Sequence, residues 1–274
     1  MNGRRAIVGL CMFCALLLSA FAAQGASAAS NGTTAFTCVS TPGSGTFKAA
    51  HCKPSDAGGT GFTHVEVAEN TTTEVSITSE KTNAGTTAAT PTIFKAVVGG
   101  VELKLESTEV HGTGTMENKK DPTTGEHYIE GIANITYTNV KDVGPSACEV
   151  YTDVGVGEPD GEKGVVHAEV VMTTKGQGDS IKFTPVGANF AQFNLRNCKN
   201  AGINNTYKVI GSATCKPDGA TINCNHAELT TAKTLRLQSA VGPVAGYESS
   251  VTVSARAKGG GAFTPLSVTT KETT

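Results

Sequence analysis

Tryptophan is absent and aromatic residues make up only 5% of the chain, so a core has to be assembled from Val, Ile, Leu and Ala. Little is left for a ring platform that stacks on carbohydrate. Lys and Arg form no cluster or stripe. With 22 basic against 24 acidic residues the formal charge is −2, which excludes the phosphate-neutralising surface of a nucleic-acid binder. No Lys/Arg block marks a lipid surface, and no apolar run after Ala29 is long enough to span a bilayer. Long runs of 3.6-residue apolar periodicity are also missing, which removes helices as the main element. Gly-x-Gly sequences such as those at 43–45, 112–114 and 176–178 lack the third glycine or the Lys-Ser/Thr of a nucleotide site.

What is present begins with a leader. Met1-Asn-Gly-Arg-Arg5 is a basic start, Ala6 to Ala22 an apolar run and Ala26-Ser-Ala28 a small-residue cleavage site, the three parts of a secretory signal peptide. Residues 1–28 are expected to be removed, leaving 29–274 as a secreted, soluble product with no membrane span. Cys11 and Cys14 lie inside the apolar run and leave with it. Leu10 and Phe13 occupy the places where a lipoprotein needs a small residue. Loss of Arg4 and Arg5 leaves 20 basic against 24 acidic residues, a charge of −4.

An oxidising destination decides how Cys38, Cys52, Cys148, Cys198, Cys215 and Cys224 are read: an even set favours three disulfides over metal ligation. Short loops favour Cys38–Cys52 and Cys215–Cys224, which leaves Cys148–Cys198 by elimination. Thr, Val and Ile recur in short alternating runs, the pattern of half-buried strands. Such runs occupy 62–67, 74–77, 93–98, 101–105, 128–129, 133–137, 165–171, 181–183, 190–193, 235–237 and 251–253. Gly99-Gly100 marks a hairpin. Lys175-Gly-Gln-Gly178 before Phe183-Thr-Pro185 is echoed by Lys258-Gly-Gly-Gly261 before Phe263-Thr-Pro265, which points to glycine turns with positive φ in both places. The tail after Val268 is expected to fray.

Many short strands divided by turn residues indicate an antiparallel sandwich or barrel. The expected class is all-β, an antiparallel β-sandwich or jelly-roll-like domain stabilised by disulfides. No Pro- or Ser-rich linker splits the chain, so one domain is expected over 29–274, with the Gly-rich acidic loop 153–164 as the candidate internal boundary.

Ala49-Ala-His-Cys52 resembles the histidine motif of chymotrypsin-like serine proteases, and Cys38 lies upstream at a spacing close to that family's disulfide. Gly178-Asp-Ser180 matches the start of its nucleophile motif. The resemblance implies His51 as general base, Ser180 as nucleophile and the amides of Gly178 and Ser180 as oxyanion hole. It covers two short segments and breaks where the chemistry is most demanding. Ile181 and Lys182 replace the two glycines after the serine, and no Asp lies between Ile93 and Glu109, where the third triad member belongs; Asp121 and Asp142 come later, in polar segments.

Three histidines repeat one spacing: His64-Val-Glu66, His167-Ala-Glu169 and His226-Ala-Glu228. On a strand, i and i+2 share a face, so each pair offers an imidazole and a carboxylate to a metal or a proton-transfer site; a solvent-facing strand pair has the same spacing. Asp153, Glu158, Asp160 and Glu162 crowd one loop but lack the ordered spacing of a calcium loop. Asn31, Asn70, Asn134 and Asn204 stand in Asn-x-Ser/Thr sequons.

A broader likeness spans the region after the leader. Cys38 with His51-Cys52 and Gly61-Phe-Thr-His64, Thr90 to Lys95, Thr184 to Ala191, Asn197-Cys198, Val209 to Ala213, Gly219-Ala-Thr221 with His226-Ala227, and Phe263 to Thr270 together resemble a group of secreted all-β proteins of actinobacteria whose function is unknown. The likeness implies an exported all-β protein and no fixed chemistry. The expected role is a non-enzymatic binding or structural module of the extracellular space or cell envelope, with no cofactor, no metal and no catalytic residue, its partner an extracellular or envelope ligand. The alternatives are the His51/Ser180 protease and a His/Glu metal-dependent hydrolase.

Overall fold

The structure is a computed structural model, described here over residues 32–79, 91–153, 161–226, 234–237 and 242–270. The leader with Cys11 and Cys14, the Asn31 sequon, Glu158, Asp160, Glu228 and the last four residues lie outside the described residues.

Eighteen strands are described. In chain order β1 to β6 are Thr33–Ser40, Phe62–Glu66, Thr73–Ser79, Thr92–Val98, Val101–Ser107 and Glu109–Lys120. Then β7 to β12 are His127–Thr138, Lys141–Asp142, Glu149–Thr152, Val166–Thr173, Ile181–Pro185 and Ala191–Arg196. Last, β13 to β18 are Asn205–Ile210, Ala213–Asp218, Thr221–His226, Arg236–Leu237, Gly246–Ala257 and Thr264–Thr270. The only helical pieces described are two single 3₁₀ turns, Pro54–Asp56 and Ala201–Ile203. Among the described residues no helix is long and apolar enough to cross a membrane.

The chain is all-β, and its main sheet closes on itself. Following the ladders, β3 pairs β6, β6 pairs β7, then β10, β11, β14, β15 and β17 follow, and β17 returns to β3, every pair antiparallel. This eight-stranded ring corrects the expected sandwich or jelly-roll. Alternation shows that one face of each strand is buried, and a closed ring buries that face as well as a second sheet does. Side chains such as Val75, Ile77, Met116, Val170, Phe183 and Val253 fill the ring. Eight strands enclose just enough room for side chains, and the void left is about 50 Å³.

Both ends of the barrel are plugged. At one, β18 pairs β1 and the end of β17, and lays Leu266 and Val268 across the interior. At the other, Tyr137, Phe190 and Tyr247 separate the barrel from a second core. There the first residues of β17, Gly246–Glu248, pair β4 where later residues pair β3, Tyr247 and Glu248 staying on β15 as well, and β4 continues through β5 to β8. Facing them, β12 carries β9 on one edge and β13 on the other, with β16 beyond. The two groups meet over Phe94, Leu105, Phe193, Val209 and Leu235.

Two strands of the ring approach unusually closely. A Cβ on Gly114 of β6 would stand 2.1 Å from the Ile132 carbonyl oxygen, and one on Gly131 of β7 would stand 2.4 Å from that of Thr115; only glycine permits the contact. The Gly99-Gly100 hairpin forms, with φ of 56° and 78°, and both glycine clusters of the echoed segments turn with positive φ. Pairing of β18 with β1 continues to Thr270, past the point where fraying is expected. The disulfides join Cys38 to Cys52, Cys148 to Cys198 and Cys215 to Cys224, the two pairs that short loops favour and the one left by elimination. The ends of the 153–164 loop are hydrogen-bonded as a hairpin, Thr152 N to Glu162 O at 3.0 Å and Gly161 N to Thr152 O at 3.0 Å.

Two carboxylates anchor the turns and set the response to acid. Lys175, 2.5 Å away, and the Thr124 and Thr123 amides hold Asp121 down at about 2 from an ordinary 3.8. Lys163, Asn197 and Tyr151 do the same to Glu149, from 4.5 to about 2. Both folded values lie below the unfolded ones, so the stabilisation is complete above about pH 4.5 and is lost as pH falls towards 2. Urea midpoints are expected to be flat above this window and to drop within it, and an Asp121→Asn, Glu149→Gln double variant should drop less. An equal drop in that variant would transfer the acid response to other carboxylates.

Candidate functional site

The protease-like residues do not assemble a triad. His51 is held by its backbone, whose carbonyl accepts from Ala220 N at 2.9 Å in the turn between β14 and β15. Ser180, just before β11, is nearly buried and donates its hydroxyl to Asp179 Oδ1 at 3.3 Å. Among the described residues no hydrogen bond joins Ser180 to His51. The Ser180 amide donates to Gln177 O at 3.2 Å, so a turn occupies one of the two donors an oxyanion hole needs. Asp121 is committed to Lys175 and its own loop, and Asp142 accepts from Ser146, Cys148, Gly144 and Lys104.

The three His-x-Glu pairs come to different ends. His64 packs against Phe36 and Phe47, ring centroids 5.2 and 4.5 Å away. His226 places Nε2 2.6 Å from Thr214 O. His167 and Glu169 lie together on an open wall, with His167 Nδ1 3.0 Å from Thr136 Oγ1. Among the described residues no three His, Cys, Asp or Glu side chains gather in a metal-binding group. Of the acidic loop, Asp153 accepts a hydrogen bond from Gln192 Nε2.

The barrel interior is not a ligand chamber. Its void of about 50 Å³ and a neighbouring one of about 60 Å³ share the walls Tyr137, Phe190 and Tyr247, far below the several hundred Å³ of a small-molecule site. The two tyrosine hydroxyls bond each other at 2.9 Å, and burial pushes both up from their ordinary range. Thr92 Oγ1 and Ser249 Oγ, 2.8 Å apart, line the second void and the first respectively.

The open space is outside. Register places Ser76 of β3 opposite Thr113 of β6, Thr113 opposite Asn134 of β7, and Asn134 opposite Glu169 of β10. The next row runs Thr78, His111, Thr136, His167 and on to Gln192 of β12. These side chains point away from the apolar interior because strand side chains alternate. A wall polar outside and apolar inside is the reverse of a bilayer-spanning barrel.

Two clefts cut this wall and meet at Asn134. The first, about 420 Å³, is lined by Asn134, Thr136, His167, Glu169, Asn189 and Gln192 among others. It exists because β12 joins β10 at the single pair His167 and Gln192 before continuing into the second core. Gln192 is fixed from both ends, accepting from Asn189 Nδ2 at 2.9 Å and donating to Asp153. The second cleft, about 490 Å³, lies between the wall and the residues leading into β18. Phe263 and Ile132 stand 40% and 45% exposed there. Arg256 lies 4.5 Å over the Phe263 ring and donates to Glu74 at 2.7 Å, which holds the Glu74 carboxyl below its ordinary value.

Sequence reasoning singled out His167 and Glu169 as a pair and Asn134 only as a sequon. Asn189 and Gln192 carry no local signal; the ladder from β10 to β12 brings them in. Set against known protein families, curated proteins and solved structures, the chain matches none of them.

Proposed function

We propose that this chain is an exported, non-enzymatic binding module of the extracellular space or cell envelope, and that the outer-wall clefts are its recognition surface. The observation that carries the reading is the pair of clefts meeting at Asn134, polar and pre-set by Gln192, on a closed barrel whose interior has no room for a ligand. Three disulfides fit an oxidising compartment, and the basic, apolar and small-residue order of the first 28 residues fits export. The likeness to secreted actinobacterial proteins points the same way. A rigid scaffold that presents side chains from paired strands is suited to selective binding without chemistry.

The test is retention on insoluble envelope material from the producing cells. The oxidised protein is expected to be retained, Asn134→Trp to lose at least tenfold, and Lys216→Trp, on an exposed position of β14, to bind as wild type. Equal retention of the two variants would remove the clefts from the reading. Fluorophosphonate labelling that disappears in Ser180→Ala would remove the non-enzymatic part.

A further inference from the structure

We infer that the clefts take a neutral, linear polysaccharide lying across the strands, held by hydrogen bonds from the row Ser76, Thr113, Asn134 and Glu169. This deepens the recognition surface proposed above and depends on it.

The first argument is spacing. The four residues sit on four successive strands in direct register. At roughly 4.8 Å per strand the row is about 14 Å long. Its repeat is close to the length of one pyranose ring in an extended glycan, so successive sugars meet successive side chains.

The second is unused bonding capacity. Cross-strand polar neighbours commonly pair with one another. Here the side chains of Ser76, Thr113, Asn134 and Glu169 make no hydrogen bond or ion pair with any described residue. Asn134 offers a donor and an acceptor side by side, the pattern that two vicinal hydroxyls complement, and Glu169 accepts from hydroxyls. Thr136 and His167 hold each other in the adjacent row, and Gln192 is oriented by two partners, so part of the ordering cost is met before a ligand arrives.

The third is what the lining excludes. No Lys or Arg lines the first cleft, and Arg256 in the second is neutralised by Glu74. Anionic chains therefore find no counter-charge. A peptide added as a strand finds no edge, because β3, β6, β7 and β10 are each paired on both sides. Glu169 and Glu74, the carboxylates that line the two clefts among the described residues, are not a glycosidase pair: they stand three strands apart, about 14 Å by strand spacing, against about 5–9.5 Å for such a pair. With no tryptophan to stack on, Phe263 and Ile132 supply the apolar surface for a sugar's C–H face. Affinity then rests on hydrogen bonds and rises with chain length.

The experiment is an amide-resolved NMR titration of the oxidised protein with cellohexaose, maltohexaose and the hexamer of N-acetylglucosamine, with hexagalacturonate and a neutral Ser/Thr-rich dodecapeptide alongside. At least one neutral hexasaccharide is expected to shift β6, β7 and β10 amides selectively, to bind at least tenfold more tightly than its disaccharide, and to weaken at least tenfold in Asn134→Ala and in Glu169→Gln with melting unchanged. Silence from all three neutral sugars overturns the inference, as does preferential binding of the uronate or the peptide. If the sugars are silent while Asn134→Trp still abolishes envelope retention, the polysaccharide falls and the recognition surface stands.

Discussion

Replacing Asn118 by leucine is expected to cost about 3–5 kcal/mol of unfolding free energy. Asn118 is fully buried at the end of β6. Its Nδ2 donates to Ala35 O at 2.9 Å and Val67 O at 2.8 Å, while its Oδ1 accepts from Ala35 N at 2.9 Å. One carboxamide thus stands in for a stretch of strand ladder between β6, β1 and the residue after β2. Leucine fills a comparable volume but leaves the Ala35 amide and the Val67 carbonyl without partners, each costing about 1–3 kcal/mol when buried, while the Ala35 carbonyl keeps only its bond from Val67 N at 3.1 Å. Asn118→Asp should be at least as damaging, since it removes both donors and faces two carbonyls with a carboxylate. Urea titration would report it as a lower midpoint at constant slope. A loss below about 1 kcal/mol would mean that water enters and takes over the amide's role.

The second large effect concerns Cys148–Cys198. Its ends are 50 positions apart, against 14 for Cys38–Cys52 and 9 for Cys215–Cys224. Closure entropy in the unfolded chain gives about 4 kcal/mol for the first and about 3 kcal/mol for each of the others. Local structure widens the gap. Cys215 and Cys224 already face each other across the β14–β15 ladder, whereas Cys148–Cys198 joins two segments outside strands, flanking the four-pair ladder of β9 and β12. The Cys148→Ala, Cys198→Ala variant is therefore expected to melt lowest of the three paired-alanine variants. If Cys215→Ala, Cys224→Ala proves the more destabilised, loop entropy is not what governs these bonds.

The strands legible in the sequence are those whose inward positions carry Val, Ile, Leu or Phe, such as β4 and β10. β6 escaped because its inward positions include Gly112, Gly114 and the hydrogen-bonding Asn118. β13 to β15 hide among Asn, Lys and Thr, where a ladder and a disulfide replace an apolar stripe as the cue. Closure of the ring is a relation between β3 and β17, and no local window contains both. The candidate site follows the same rule. His167-Ala-Glu169 lies on one strand and could be seen, but the row it belongs to exists only in register, and Gln192 enters it from an element that periodicity places no nearer than any other.

The barrel's seam also fixes an order of events. Glu74 and Arg256 meet across β3 and β17 although 182 positions separate them, so the ring has no closed form until nearly the whole chain is available. Until then β3 presents an unpaired edge, and contacts this distant in sequence form slowly. Under the export proposed above, this disfavours folding before translocation: the N-terminal strands stay threadable because β17, which locks them, is the second-last strand to emerge.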